Sequence, residues 1–467
     1  MMLALLIGVG LASGDARAAD PIPLQDFVRH AQYSATKISP DGRFLALTML
    51  QGDKMSLAVL RMQDMQVIRI TSLTGGESIS EFYWVGPNRL MYTSARNFGT
   101  YASPFGTGEW YAMDADGGHP RTLVSYSAGA AGRSKMVHTN EMYSMLDPLP
   151  GDESKALMQL NDGSSGGRNA VVSIDTATGR RQTLAKAPRD NCEMVLDASL
   201  QPRYANCTET KDAELGYDEH TELYRLGDND SWSRIDRATN ETRAMRVIGT
   251  AADGRIYALA SDGGAPSAFG ILDPTTEAFQ TLYRDPGAGI HDFLYAADGK
   301  TVVGVVTMAG APHVELVERQ HPDAKVYAAL AKAFPGELVE VTSATQDGKK
   351  LVVAVYSDID PGQLYLFDRD TGSVRFLMKS RPALDPSRMA HVQPFSFKAR
   401  DGRTLYGYMT VPRGDAKRLP TIIHPHGGPI GIRDDWGVQL GKPDARQARL
   451  SGRPGQFPRF RRLRQGI

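Results

Sequence analysis

Near residue 420 of the 467-residue chain a short apolar run, Thr421-Ile422-Ile423-His424-Pro425, leads straight into His426-Gly427-Gly428-Pro429. Glycines that follow a strand let the backbone approach a ligand closely, because they carry no Cβ. Their N–H groups can then point at a carbonyl oxygen under attack and hold the negative charge that develops on it. That is the chemistry of acyl transfer. His-Gly-Gly alone also occurs in plain loops. Here it follows a strand, and before that the strand pair in PFSFKARDGRTLYGYMTVP (394–412), so His426, Gly427, Gly428 and Pro429 are a candidate oxyanion loop.

Other reactive residue types point elsewhere. Gly163-Ser164-Ser165-Gly166-Gly167 fits G-x-S-x-G literally. A nucleophile elbow needs a buried parallel strand before it and a helix after it, whereas here a strand, NAVVSIDT, follows. It is expected to be an ordinary loop. No HExxH occurs and neither cysteine belongs to a CxxC pair, so no metal site is expected. Cys192 and Cys207 are spaced to sit on the two arms of a hairpin. An even count permits one disulfide after export; two free buried thiols are the other arrangement.

The elements that would carry the loop come from a repeat. Asp-Gly pairs fall at 41–42, 116–117, 162–163, 253–254, 298–299 and 347–348, several about 45–50 residues apart or twice that. Many precede an alternating apolar run, as in Arg43-Phe-Leu-Ala-Leu and Lys350-Leu-Val-Val-Ala-Val. A second unit recurs, a strand ending in Asp, a polar turn and a short strand: VVSIDTATGRRQTL (171–184), GILDPTTEAFQTL (270–282) and LYLFDRDTGSVRFL (364–377). About four short strands per period is the pattern of a β-propeller, with room for roughly seven blades over residues 26–385. A tandem of β-sandwiches would not favour such even spacing.

Lys plus Arg and Asp plus Glu are both 53, for a formal net charge of zero. That balance gives no reason to expect a nucleic-acid partner. Leu3 to Ala12 is apolar but too short to span a bilayer, and Ala16-Arg17-Ala18 before Ala19 has the small-x-small form of a signal-peptidase site. Residues 1–18 are therefore expected to be a signal peptide cut between Ala18 and Ala19, although no Lys or Arg precedes the apolar run. A buried N-terminal helix is the alternative. The mature chain is expected to be periplasmic or secreted and to carry no membrane span.

ISPDGRFLAL, FKARDGRTLYGYMTVP and PHGGPIGIRDDWG together resemble the prolyl oligopeptidase family of serine peptidases, nearest its acylaminoacyl-peptidase and dipeptidyl-peptidase-like bacterial branches. The resemblance covers residues from about 26 to 437. It implies a mainly β chain: a propeller over 26–385, then at 386–437 the first strands of an α/β-hydrolase domain. It also implies short peptide substrates, an acyl-enzyme route and no cofactor. In that family Ser, Asp and His follow the oxyanion loop in that order, the serine in G-x-S-x-G-G. His424 and His426 precede any such serine, so neither is expected to be the triad base.

The pattern breaks after Gly437. The 38 residues beyond Pro429 hold no G-x-S-x-G, and the stretch 438–467 is dense in Arg with little hydrophobic periodicity. One reading is a basic tail for an anionic partner. The other is a shift of reading frame. Read one base later, with synonymous codons chosen to suit, the stretch from Val438 permits FNWESQMLAKRGYRVVLVNFRGSGGYGKG, a helix, a buried strand and a Gly-rich turn. The chain as written is then expected to lack the triad and to be inactive. The alternative is a non-catalytic propeller that binds peptides or partner proteins.

Overall fold

The computed structural model describes residues 22–96, 105–126, 141–152, 154–210, 219–235, 243–262, 265–413, 420–425, 434–438 and 451–455. Seven antiparallel sheets follow one another along the chain as the blades of a propeller. Blade 1 is Tyr33–Ile38, Phe44–Gln51, Lys54–Arg61 and Val67–Thr71; blade 2 is Glu77–Trp84, Arg89–Arg96, Phe105–Asp114 and Arg121–Val124. Blade 3 is Glu141–Asp147, Lys155–Asp162, Ala170–Asp175 and Arg181–Lys186; blade 4 is Cys192–Leu196, Pro202–Thr210, Glu219–Leu226 and Trp232–Arg234. Blade 5 is Arg243–Thr250, Ile256–Asp262, Ala268–Leu272 and Phe279–Tyr283. Blade 6 has three strands, Ile290–Tyr295, Val302–Thr307 and His313–Glu315, and blade 7 is Leu338–Ala344, Lys350–Tyr356, Gln363–Asp368 and Ser373–Lys379. After blade 6 comes the helix Pro322–Ala333, whose Ala324, Tyr327 and Leu330 enter the cores of blades 6 and 7.

Each blade packs against a neighbour on both faces, so middle strands such as Val302–Thr307 and Arg89–Arg96 are buried along their length rather than alternating. Arg89–Arg96 shows how the two faces divide. Leu90 and Tyr92 pack toward Ala46, Leu57 and Val59 of blade 1, while Met91 packs toward Tyr143, Ala156 and Met158 of blade 3. Buried polar side chains tie neighbouring blades together. Met194 N–H donates to Gln159 Oε1 at 2.7 Å, and Asn206 pairs with both backbone groups of Val247 at 2.8 and 2.9 Å.

Blade 7 and blade 1 each take all four strands from one stretch of chain, so no shared strand closes the ring. The seam is held by packing of Ile38, Leu45 and Leu47 against Val352, Leu364 and Leu366. Hydrogen bonds add to it: Ile38 N–H to Ser343 Oγ at 3.0 Å, Thr342 Oγ1 to Thr36 O at 3.2 Å and Gln346 N–H to Pro40 O at 2.8 Å. Gly42 belongs to the same seam. Its φ is +75°, and a Cβ there would come within 3.1 Å of Thr345 Cγ2. Where the chain enters and leaves the ring, the N–H groups of Gln32 and Tyr33 both donate to Ser380 O, at 2.9 and 3.3 Å.

Strand direction sorts the loops. Connections between blades, and those joining second to third strands, share the face where Gln32 enters, the near face. First-to-second and third-to-fourth turns lie on the far face. Five of the six Asp-Gly pairs named above are far-face turns, with positive φ at Gly42, Gly117, Gly254, Gly299 and Gly348. Asp162-Gly163 differs: it joins the second and third strands of blade 3 on the near face, and there Gly166 carries the positive φ. In blades 3, 5 and 7 an Asp at the end of the third strand accepts N–H groups further round its turn: Asp175 from Ala177 and Thr178, Asp273 from Thr275, and Asp368 from Asp370.

Cys192 and Cys207 stand directly opposite each other on the first two strands of blade 4 and are joined by a disulfide, with Cα atoms 4.0 Å apart. The bridge closes a hairpin 15 residues long. Replacing both cysteines by Ala should lower stability by about 3 kcal/mol, from the closure entropy of a loop of that length. Urea unfolding of C192A/C207A checks this, and wild type unfolded under reducing conditions should lose a similar amount.

The far-face turns also predict an acid response. The Thr275 N–H holds the Asp273 carboxyl below its ordinary range, as the Thr345 hydroxyl and then the Lys349 N–H do for Asp347. For Asp253 and Asp298 burial pushes upward, but turn hydrogen bonds outweigh it and the carboxyls end low. A lowered folded pKa gives stability that is full above the unfolded value of about 4 and lost as pH falls through the folded one. The melting temperature should drop below about pH 4. In D253N/D298N/D347N, where each amide oxygen can still accept the turn hydrogen bonds without titrating, the drop should be shallower.

Candidate functional site

Beyond the ring a second sheet begins. Its strands lie in the order Val392–Lys398, Thr404–Thr410, Ser451–Gly455, Thr421–Pro425. Ser451–Gly455 pairs antiparallel with Thr404–Thr410 and parallel with Thr421–Pro425, the strand that leads into the glycine loop. The loop itself, His426 to Pro429, lies outside the described residues, as do Ala18 and Ala19. Ser451–Gly455 thus supplies the backbone of an interior strand. The apolar residues of Thr421–Pro425 would suit a buried strand, yet all five residues are exposed, Ile423 by 72%. Among the described residues no helix covers either face of this sheet.

The sheet is held to the near face of blades 6 and 7. Buried Tyr408 donates its hydroxyl to Gly310 O at 2.7 Å, between the second and third strands of blade 6. A Cβ on Gly287, in the blade 5–6 connection, would come within 3.2 Å of the Tyr406 hydroxyl. The Asp358 carboxylate, in the matching loop of blade 7, accepts the Val392 N–H at 2.7 Å and meets His391 Nδ1 at 3.0 Å.

The segment after the glycine loop returns to the propeller. Trp436 packs against the core that holds Leu294, Val306 and Tyr327, and Asp435 lies 3.8 Å from His291. His291 is the extra residue of a β-bulge in the inner strand of blade 6. Val438 joins Ile22, Phe27, Leu384 and Met389. The helix Leu24–Val28 that carries Phe27 thus packs with this second unit ahead of the first blade. The glycine loop is therefore bracketed by an exposed strand on one side and a segment docked on the propeller on the other.

Close to that docking point, Glu340 and Asp292 sit near the start of the inner strands of blades 7 and 6. Burial first, and then the charge of Asp292, raises the Glu340 carboxyl above the usual range. Glu340 has no hydrogen-bond or ion-pair partner among the described residues. Burial, with Glu340 and Asp292 adding to it, raises the Tyr356 phenol as well. On blade 1, burial lowers Lys37 to about 8, and its ammonium group donates to Phe82 O at 2.9 Å, 3.9 Å from the centre of the Tyr83 ring.

The literal serine motif has none of an elbow's geometry. Ser164 lies between the antiparallel strands Lys155–Asp162 and Ala170–Asp175, and its hydroxyl donates to Asp162. Sequence reading missed the docking residues Tyr408, Asp358 and Trp436. The aromatic pair Tyr406 and Tyr408 beside an exposed strand was the one signal for them.

No protein-family model matches the chain. Dipeptidyl aminopeptidase BIII of Pseudoxanthomonas mexicana is 24% identical over 420 residues, which is 86% of this chain and 55% of that protein. Dipeptidyl peptidase family member 6 of Caenorhabditis elegans is 20% identical over 406 residues, 85% of this chain and 52% of that one. The chain spans about half the length of these curated relatives. Among solved structures a puromycin hydrolase superposes with a TM-score of 0.61 at 17% identity, covering 93% of this chain and 68% of its own. The apo prolyl oligopeptidase B from Galerina marginata gives 0.57 at 11% identity, over 93% and 65%. A seven-bladed ring followed by a docked second sheet is the fold the chain shares with these solved structures, and its sequence is similar to two dipeptidyl peptidases.

Proposed function

We propose that this chain comes from an exported serine peptidase that cleaves short peptides through an acyl-enzyme, with His426, Gly427, Gly428 and Pro429 forming part of the oxyanion hole. The observation that carries the reading is the strand Thr421–Pro425, set in a sheet docked on the near face and running into two glycines. The relatives named dipeptidyl peptidases support peptide substrates. The half-buried, unpartnered Glu340 beside Asp292 favours a cationic group at that side of the ring, which suits a peptide's free amino end. The N-terminal apolar run and the Cys192–Cys207 bridge fit export to an oxidising compartment, the periplasm or outside the cell.

The polypeptide as written carries no G-x-S-x-G after Pro429, and in this reading it binds peptides without turning them over. A shift of frame near Gly437 accounts for the break. The shifted reading puts RVVLV at the five positions of Ser451–Gly455, where the fold has a strand beside Thr421–Pro425. Apolar β-branched residues suit an interior parallel strand. The second reading, a propeller that only binds peptides or partner proteins, is favoured by the ring's closure without help from the second sheet.

Sequencing the gene across codon 437 and assaying both products tests this. The 467-residue chain should release no chromophore from aminoacyl chromogenic substrates. A version rejoined in the next frame should reach G-x-S-x-G-G and show turnover blocked by a serine-directed inhibitor. Turnover by the 467-residue chain, or an immediate stop in the next frame, overturns the proposal.

A further inference from the structure

Among the described residues blade 6 alone lacks a fourth strand. The blades on either side end in Phe279–Tyr283 and Ser373–Lys379. The outer wall of the ring therefore steps back at blade 6 by one strand spacing, about 4.8 Å. After His313–Glu315 the chain turns through 317–320 into the helix Pro322–Ala333, which fills the blade 7 side of the step. The blade 5 side stays open. Val314 is 40% exposed. A cavity of about 360 Å³ lies there, lined by Leu282, Tyr283, Glu315, Leu316, Arg319 and Gln320 among others.

The register shows which backbone groups the missing strand leaves bare. Val317 N–H donates to Val303 O at 3.0 Å, and His313, Val314 and Glu315 stand opposite Thr307, Val306 and Val305. In an antiparallel ladder bonded and non-bonded pairs alternate. Val303 with Val317, Val305 with Glu315 and Thr307 with His313 are therefore the bonded pairs. Both backbone groups of Val314 then point away from blade 6, and those of Leu316, two residues on, point the same way. No backbone bond reaches Val314 or Leu316 from that side among the described residues. Such a row is a template for another strand.

A second ring has the wrong shape for that template. Its outer wall would meet the protruding strand Phe279–Tyr283 before its own edge reached Val314. One extended segment fits a step one strand deep, with side chains alternating between two faces. On the blade 5 face His313 lies over Tyr283, ring centroids 6.3 Å apart. A residue opposite Glu315 shares that face and enters the cavity beside Leu282 and Tyr283. The charges around it are already answered: Glu315 accepts from Arg319 at 2.7 Å, and Glu318 pairs with Arg255. An apolar side chain there gains by burial, whereas a charged one loses water and meets no free counter-charge.

We propose that blade 6 takes one extended segment of a partner polypeptide as its fourth strand, antiparallel to His313–Glu315, with an apolar residue opposite Glu315. The outer strands of the other six blades all pair antiparallel with their third strands. Main-chain bonds to Val314 and Leu316 hold the segment, and the cavity reads one of its side chains. The surface lies on the outer wall of the ring, apart from the near face that bears the second sheet. Its occupant is therefore a partner of the ring and not a substrate at the glycine loop.

The test uses the 467-residue chain and a labelled heptapeptide with the sequence of the blade 5 outer strand and its flanks, AFQTLYR (278–284), as a stand-in fourth strand. Anisotropy should give a Kd of about 0.1–1 mM, and hydrogen exchange should show residues 312–318 protected at saturating peptide. Val314→Pro removes one outward N–H and keeps the bonds of His313 and Glu315 to the second strand, a change that edge strands tolerate. It should weaken binding about tenfold. The same peptide methylated at alternate backbone nitrogens should lose as much on wild type, which decides the matter if the proline variant fails to fold. Asp scanned through the apolar positions of the peptide should cost about tenfold at one of them. No protection at 312–318, or equal binding of the methylated peptide, overturns the proposal. Protection of 312–318 without peptide in a chain that sediments as a dimer gives the edge to a second copy, and overturns it too.

Discussion

A blade of a propeller has two apolar faces and can hide them only against its neighbours, so the ring must close or no blade is stable. That requirement explains most of what the chain does between residues 33 and 379. It requires apolar middle strands, polar side chains such as Gln159 and Asn206 that answer the backbone of the next blade, and short turns that keep every strand in step. It also explains why the seam between blades 7 and 1 is so well supplied with contacts. Nothing covalent and no shared strand holds it, so packing of Leu45 and Leu47 on Val352 and the bonds of Ser343, Thr342 and Gln346 carry the closure.

The second sheet depends on the ring in a different way. Its described contacts include one tyrosine hydroxyl, one aspartate that takes both a backbone N–H and an imidazole, and one tryptophan set into a blade core. All reach the near face at blades 6 and 7. The side of Thr421–Pro425 that would back the glycine loop is bare among the described residues, and Ile422 and Ile423 stand in solvent. The propeller can position such a strand, but it cannot supply the apolar cover that makes a parallel strand stable.

What was legible in the sequence followed from chemistry that acts over a few residues. The Asp-Gly turns at 41, 253, 298 and 347, and the Asp-closed hairpins at 175, 273 and 368, show plainly because a carboxylate and a positive φ are both local demands. Asp162-Gly163 misled for the same reason: its dipeptide is the same, but its place between second and third strands is a matter of topology. The missing fourth strand of blade 6, and the helix Pro322–Ala333 after it, were hidden by the assumption that every period repeats in full. The apolar look of Thr421–Pro425 reports the surroundings such a strand is built for, rather than those it has among the described residues.

The two backbone N–H groups that meet Ser380 O bring the first and last residues of the ring to one point. In evolutionary terms the propeller is a cassette. A host chain needs only a loop whose ends lie side by side to receive all seven blades, and it can lose them again without either end having to move. The order of parts along this chain, a short leading segment, the whole ring and then the sheet, is the order such an insertion would give.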